Sequence, residues 1–164
     1  KIDKPWALTG HQFKRPHNVV NSLYLKPADL ERLVKERFER YETIKKTEQR
    51  AEEYLVDDAD IVVVAYGASS RVARSAVNAA RAEGIKAGLI RPITLWPFPT
   101  DALQRAAQHV KKFLAVEMSM GQMVDDVRLA IHDQKPVEFY GRTGGMIPTP
   151  AEVLGAIKKA GGVL

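Results

Sequence analysis

The stretch "ADIVVVAYG" (Ala59 to Gly67) limits what this chain can fold into. It is almost unbroken in apolar character, with no alternation of polar and apolar residues. A strand with one face in water alternates, so a continuous run points to a strand buried on both faces, flanked by helices above and below its sheet. Three more short runs follow: "IKAGLI" (Ile85 to Ile90), "KFLAVE" (Lys112 to Glu117) and "PVEFYG" (Pro136 to Gly141). Helical patterns separate them. Ser69 or Ser70 is expected to cap the first, with Val72, Ala73, Ala76, Val77 and Ala80 on one stripe and Gly84 as its stop. Thr100 is expected to cap the second, which runs through Leu103, Ala106, Ala107 and Val110. The third, "GQMVDDVRLAI", turns Val124, Val127, Ala130 and Ile131 inward. Thr149 and Pro150 open the last, with Val153, Leu154 and Ile157 inward. Such alternation predicts an α/β fold with a mostly parallel sheet and right-handed crossovers.

Upstream the pattern differs. Pro27 suits a first helical position, and Asp29 and Glu31 suit the positive first turn. Leu30, Leu33, Val34, Phe38, Tyr41 and Ile44 recur at helical spacing, and Glu31–Lys35, Glu36–Arg40 and Glu42–Lys46 stand four residues apart. A long amphipathic helix is expected to about Tyr54. Residues 1–26 have turn residues and isolated apolar anchors without a sustained period. The expected organisation is an irregular connecting arm over 1–26, the helix over 27–55, and an α/β domain over 56–164. The chain opens on Lys1 rather than Met and reads as a piece of something longer.

Composition narrows the function classes. The chain has 164 residues, enough for one well-cored domain, and no cysteine. Disulfides, thiolate catalysis and cysteine-ligated iron–sulfur clusters are thereby excluded within it. The net charge of +5 is spread among acidic residues without interleaved aromatics. That favours a solvated basic surface or an acidic partner subunit over nucleic acid. No apolar run is long enough to span a bilayer, and a cytoplasmic setting is expected.

In open parallel sheets, ligands bind beyond the carboxyl ends of the strands. Those ends carry Gly67, Ser69, Ser70 and Arg71; Arg91; Glu117, Gly121 and Gln122; and Arg142. Backbone N–H groups after Gly67 and Gly121, with the arginines, suit an anion or a partner surface. The plainer alternative makes the glycines tight turns, the arginines partners of loop carbonyls, and Glu117 a carboxylate capping the helix near Gly121. Dinucleotide, P-loop and nucleophile-elbow signatures are absent. His11, His17, His109 and His132 lack metal-ligand spacing, and Met118, Met120 and Met123 read as packing residues rather than ligands.

One stretch resists assignment to core or plain loop: "LIRPITLWPFP" (Leu89 to Pro99). Pro92 lacks a donor and should end its strand at Arg91. The prolines stiffen a loop that carries Trp96 and Phe98, a preorganised apolar surface and a candidate interface. With "YGASSRVARSAVNAARAEGIKAG" before it, and "LAVEMSMGQMVDDVRLAI" and "FYGRTGG" after it, this stretch resembles the C-terminal part of the alpha subunit of 2-oxoacid:ferredoxin oxidoreductases, of the 2-oxoisovalerate and 2-oxoglutarate type. The arm and helix resemble the segment preceding that part.

The resemblance implies a transketolase C-terminal-like α/β/α sandwich around a five-stranded sheet with one antiparallel edge strand. The fifth strand is expected near Glu52–Val56 or in the arm. It further implies a whole enzyme that oxidatively decarboxylates a 2-oxoacid to acyl-CoA, using thiamine diphosphate, coenzyme A and iron–sulfur clusters, with electrons passing to ferredoxin. Its implied partners are a thiamine-binding beta subunit, a gamma subunit and a ferredoxin-like delta subunit. The thiamine-binding GDG motif and the family's pyrimidine-binding domain are not found in this sequence. The resemblance therefore implies a non-catalytic domain. A self-sufficient anion- or nucleotide-binding module using the strand-end edge is the alternative.

Overall fold

The computed structural model describes residues 2–162. The chain divides into two compact units, Lys1–Arg40 and Tyr41–Leu164.

In the first unit the described residues of the arm have turns but no helix or strand. Arg15 donates to the carbonyls of Ala7 and Pro16, and the Lys4 ammonium lies 5.7 Å from the centre of the Trp6 ring. Helix α1 (Pro27–Thr47) starts in this unit and ends in the second. Its apolar stripe is present as expected, yet none of its residues is buried. Lys35 pairs with Glu31, whereas Glu36 pairs with Arg32 and Glu42 with Lys45, so two of the three expected pairs are exchanged for others.

The helix stops at Thr47 rather than near Tyr54. The reason is tertiary. The Arg50 N–H donates to Thr94 Oγ1 and its carbonyl accepts from Ile93 N, which turns the chain into strand β1 (Ala51–Tyr54). "AEEY" has residues fit for a helix, but an unpaired sheet edge overrides that preference. β1 is the antiparallel edge strand.

The sheet order is β1-β3-β2-β4-β5, with β2 (Ile61–Val64), β3 (Ala87–Pro92), β4 (Lys112–Glu117) and β5 (Val137–Gly141) mutually parallel. Pro92 is the last residue of β3, paired across from Ala51, so the strand runs one residue beyond Arg91. Val62, Val63 and Val64 are completely buried. Val62 and Val64 face α3 (Thr100–Ala107) and α4 (Met123–Ile131), while Val63 faces α2 (Gly67–Ala82) and α5 (Pro150–Gly161). Each such valine contributes about 1.5–3 kcal/mol of hydrophobic stabilisation. The result is the α/β/α sandwich.

Two expected caps are absent. Ser69 and Ser70 are buried within the first turn of α2, whose N-cap is Tyr66, and Thr100 is itself the first residue of α3, after Pro99. Thr149 caps α5 as expected, in a reciprocal capping box with Glu152 and with Pro150 behind it. Gly84, at φ +80°, ends α2.

Close approach also dictates sequence. A Cβ on Gly88 would lie 2.6 Å from the Leu55 carbonyl oxygen. That carbonyl accepts from Arg81, which also donates to Ala87 O and pairs with Asp58, tying the β1–β2 connection to α2.

Candidate functional site

The parallel topology places the loops after β2, β3, β4 and β5 at one edge of the sheet. Glu117, the last residue of β4, organises the centre of that edge. It is 3% exposed. Its Oε2 accepts from Ser119 Oγ, Gln122 N and Met123 N, each at 3.0 Å, and its Oε1 accepts from Val124 N at 2.9 Å. The first N–H groups of α4 therefore already hold an anion, the chain's own carboxylate. Ser119 Oγ in turn accepts from Gly121 N. Gly121 adopts φ +110°, a conformation that suits only glycine, and this closes the loop back toward Glu117.

The 142–146 loop lies alongside. Arg142 N donates to the Glu117 carbonyl at 3.1 Å. A Cβ on Gly141 would run into the Ser119 carbonyl oxygen and the Phe139 ring, so only glycine lets the two loops meet. Arg142 is paired with Glu152. Hydrogen bonds from the Thr149 backbone, then from its hydroxyl, hold the Glu152 carboxyl below its usual range, with Arg142 assisting.

The three candidate arginines do not converge. Arg91 stands opposite Glu52 in the β1–β3 register and pairs with it at 3.1 Å. Glu52 also receives Arg74 at 2.6 Å, and these hydrogen bonds, Arg74's first, lower its carboxyl below the ordinary value. β3 and β5 are separated by β2 and β4, so Arg91 and Arg142 start about 14 Å apart. Both answer carboxylates, not the loop carbonyls of the plainer expectation. Arg71 is exposed on α2 and makes no side-chain hydrogen bond or ion pair among the described residues. Gly67, at φ +56°, starts α2 and is open to solvent, and Gln122 is exposed. Ser70 Oγ donates to the Gly67 carbonyl at 2.7 Å, and Ser69 is buried.

The methionines divide. Met123 is buried, but Met118 is 45% exposed and Met120 81%, which corrects their reading as packing residues. His109 Nε2 lies 3.0 Å from the Val56 carbonyl oxygen, a structural contact, and His132 ends α4 in a left-handed conformation.

Trp96 and Phe98 part company too. Phe98 is partly buried and packs against the core on the α3/α4 face. Trp96 is 54% exposed, edge-on to Tyr41 of α1 with ring centres 4.9 Å apart. Ser119, Glu52 and Tyr41 were not among the site residues expected from sequence. For Ser119, its place two residues after a strand-end glutamate and two before a glycine was the available signal.

No helix is long and apolar enough to cross a membrane among the described residues. No group of three or more His, Cys, Asp or Glu there could hold a metal ion.

Comparison with known proteins agrees with the geometry. The ketoisovalerate oxidoreductase subunit VorB of Methanothermobacter thermautotrophicus is 48% identical over 160 residues, covering 98% of this chain and 45% of that protein. The 2-oxoglutarate synthase subunit KorA of Methanothermobacter marburgensis is 45% identical over 101 residues, covering 62% of this chain and 27% of that one. The chain thus spans less than half the length of these relatives. The solved 2-oxoglutarate:ferredoxin oxidoreductase from Magnetococcus marinus shares the fold at a TM-score of 0.67 and 23% identity, over 83% of this chain and 24% of that one. A split-gene transketolase shares it at a TM-score of 0.58 and 22% identity, over 68% of this chain and 41% of that one. The model of the pyruvate:ferredoxin oxidoreductase core domain II matches residues 59–153, from two residues before β2 into α5, and the chain belongs to that family.

Proposed function

We propose that this chain is the non-catalytic, transketolase C-terminal-like assembly domain of the alpha subunit of a thiamine-diphosphate-dependent 2-oxoacid:ferredoxin oxidoreductase. The whole enzyme, in this reading, oxidatively decarboxylates a 2-oxoacid to acyl-CoA and passes electrons to ferredoxin in the cytoplasm. Its partners are a thiamine-binding beta subunit, a gamma subunit and a ferredoxin-like delta subunit. The 1–26 arm and α1 connect the sheet domain, whose first strand is β1 at Ala51, to its neighbours.

The observation that carries this reading is that large aromatic side chains stay exposed to solvent. Trp6 is 65% exposed in the arm, and Trp96 is 54% exposed on its proline-bounded loop. Large rings held this way typically serve as anchors. The strand-end edge supports a contact role: Met118, Met120 and Met146 are exposed on loops tied down by Glu117 and by the Arg142–Glu152 pair.

The cofactors of the whole enzyme fit other chains or domains better than this one. It has no thiol for a cluster, and the α4 N-terminus, where a phosphate would otherwise bind, is filled by Glu117. The nucleotide-module alternative is weakened because Arg91 and Arg142 are engaged by Glu52 and Glu152.

The test is affinity purification of the tagged subunit from its source cell, with identification of what co-elutes. Co-elution of thiamine-binding and ferredoxin-like chains is the expected result. Turnover of a 2-oxoacid with coenzyme A and ferredoxin by this chain alone would overturn the reading.

A further inference from the structure

At the opposite end of the sheet, where the parallel strands begin, three separate segments bring lysines to one groove of about 490 Å³. Lys86 enters from the α2–β3 turn, Lys111 and Lys112 from the mouth of β4, and Lys159 from the last turn of α5. Two carboxylates share the groove, and both are engaged: Asp60 by Lys111 at 3.2 Å, and Glu83 by Lys158 at 2.6 Å. The ammonium groups of Lys86, Lys112 and Lys159 make no hydrogen bond or ion pair among the described residues. Asp58 feels the charge of Lys86 but is held by Arg81. A lysine in the last turn of a helix ordinarily complements the helix dipole, which accounts for Lys159 alone. Lys86 and Lys112 lie on no helix.

We infer that this groove docks an acidic, partly apolar segment of a partner protein. Three ammonium groups without an ion-pair partner among the described residues surround one groove and call for carboxylates. Apolar side chains of Ile61 and Ile85 also line it, which suits a segment that mixes Glu or Asp with apolar residues. A compact phosphate group fits poorly. The backbone N–H groups of Asp60, Ile61 and Lys111 are already donated to the Lys86 and Asp60 carbonyls. The helix ends beside the groove, near Gly84 and Gly162, are carbonyl ends rather than N–H ends. The surface lies apart from the strand-end edge and from Trp96, so it stands independently of the assembly proposed for those.

The experiment uses the full-length subunit, a short fluorescein-labelled peptide of alternating Glu and Leu, and fluorescence anisotropy at near-physiological salt. The triple variant K86E/K112E/K159E is compared with K4E/K14E/K26E, which makes the same charge change on the arm. The groove variant should weaken binding about tenfold or more, while the arm variant stays within about twofold of the parent. Equal weakening in both would show attraction by net charge alone and overturn the inference. Displacement of the peptide by millimolar inorganic phosphate, at matched ionic strength, would overturn it in favour of a phosphate site. Should the groove variant fail to fold, K86Q/K112Q/K159Q replaces it, with about threefold weakening expected and no change overturning the inference.

Discussion

Replacing Glu117 tests the internal anion at the α4 N-terminus most sharply. In Glu117→Ala, the N–H groups of Gln122, Met123 and Val124 and the Ser119 hydroxyl lose their common acceptor. The Met123 and Val124 bonds are buried. An orphaned buried donor costs about 1–3 kcal/mol, and removing one partner of a buried charged cluster costs about 3–5 kcal/mol. Water entering the vacated space and relief of carboxylate desolvation offset part of this. The expected loss is about 3–4 kcal/mol, a large part of a typical stability of roughly 5–15 kcal/mol. Glu117→Gln keeps one acceptor oxygen but turns an amide N–H₂ toward backbone donors, so it should lose about 2 kcal/mol. Urea unfolding at neutral pH measures both. At an m-value of about 2 kcal/mol/M, Glu117→Ala should lower the midpoint by about 2 M with m unchanged. A midpoint within about 0.2 M of the parent, with a native-like spectrum, would refute the reasoning, because the α4 N-terminus would then be satisfied without the carboxylate.

Gly88→Ala should destabilise by about 1–3 kcal/mol, since its Cβ meets backbone rather than a flexible side chain; chemical denaturation checks this. Arg81→Ala should cost about 2 kcal/mol by releasing the Leu55 and Ala87 carbonyls, whereas Arg81→Lys, unable to reach all three partners at once, should recover only part of it. Glu152 has a folded-state carboxyl titrating below its usual 4.5, so its cap stabilises fully above that pH and fades as the pH falls through the lowered folded value. Parent and Glu152→Gln stabilities, compared between neutral pH and about pH 3, should differ most at neutral pH and converge on acidification; a gap independent of pH would contradict the assignment.

How much was legible in the sequence depended on where each partner lay along the chain. "KFLAVE" became β4 residue for residue, and the valines of β2 fell in the double-faced core, because burial on both sides leaves a local and unambiguous pattern. "TPAE" opened α5 as read, since a capping box lies within four consecutive residues. β1 was harder. Its glutamates suit a helix, and only pairing with a strand far along the chain makes them extended. Serine and threonine caps were misplaced because the entries to α2 and α3 are set by backbone conformation at Tyr66, Gly67 and Pro99, not by a side-chain acceptor. At the candidate site, Glu117 as a helix cap was visible as one of two readings, its loop being local. The partners of Arg91 and Trp96, Glu52 and Tyr41, come from distant segments, and no short spacing announces them.

The central claim is that apolar groups on this domain are assembly surface, and Trp96→Ala tests it most directly. With Trp96 half exposed and touching Tyr41 at its edge, the ring contributes modestly to the domain's own stability. Burying its remaining apolar area against a partner would contribute about 2 kcal/mol at roughly 25 cal/mol per Å². The affinity of the full-length alpha subunit for its partner subunits, measured by sedimentation with parent and Trp96→Ala proteins both fully folded, should fall about tenfold or more, while the urea midpoint of the subunit moves little. Unchanged affinity together with a strongly lowered midpoint would contradict the account and make Trp96 a lid on its own domain.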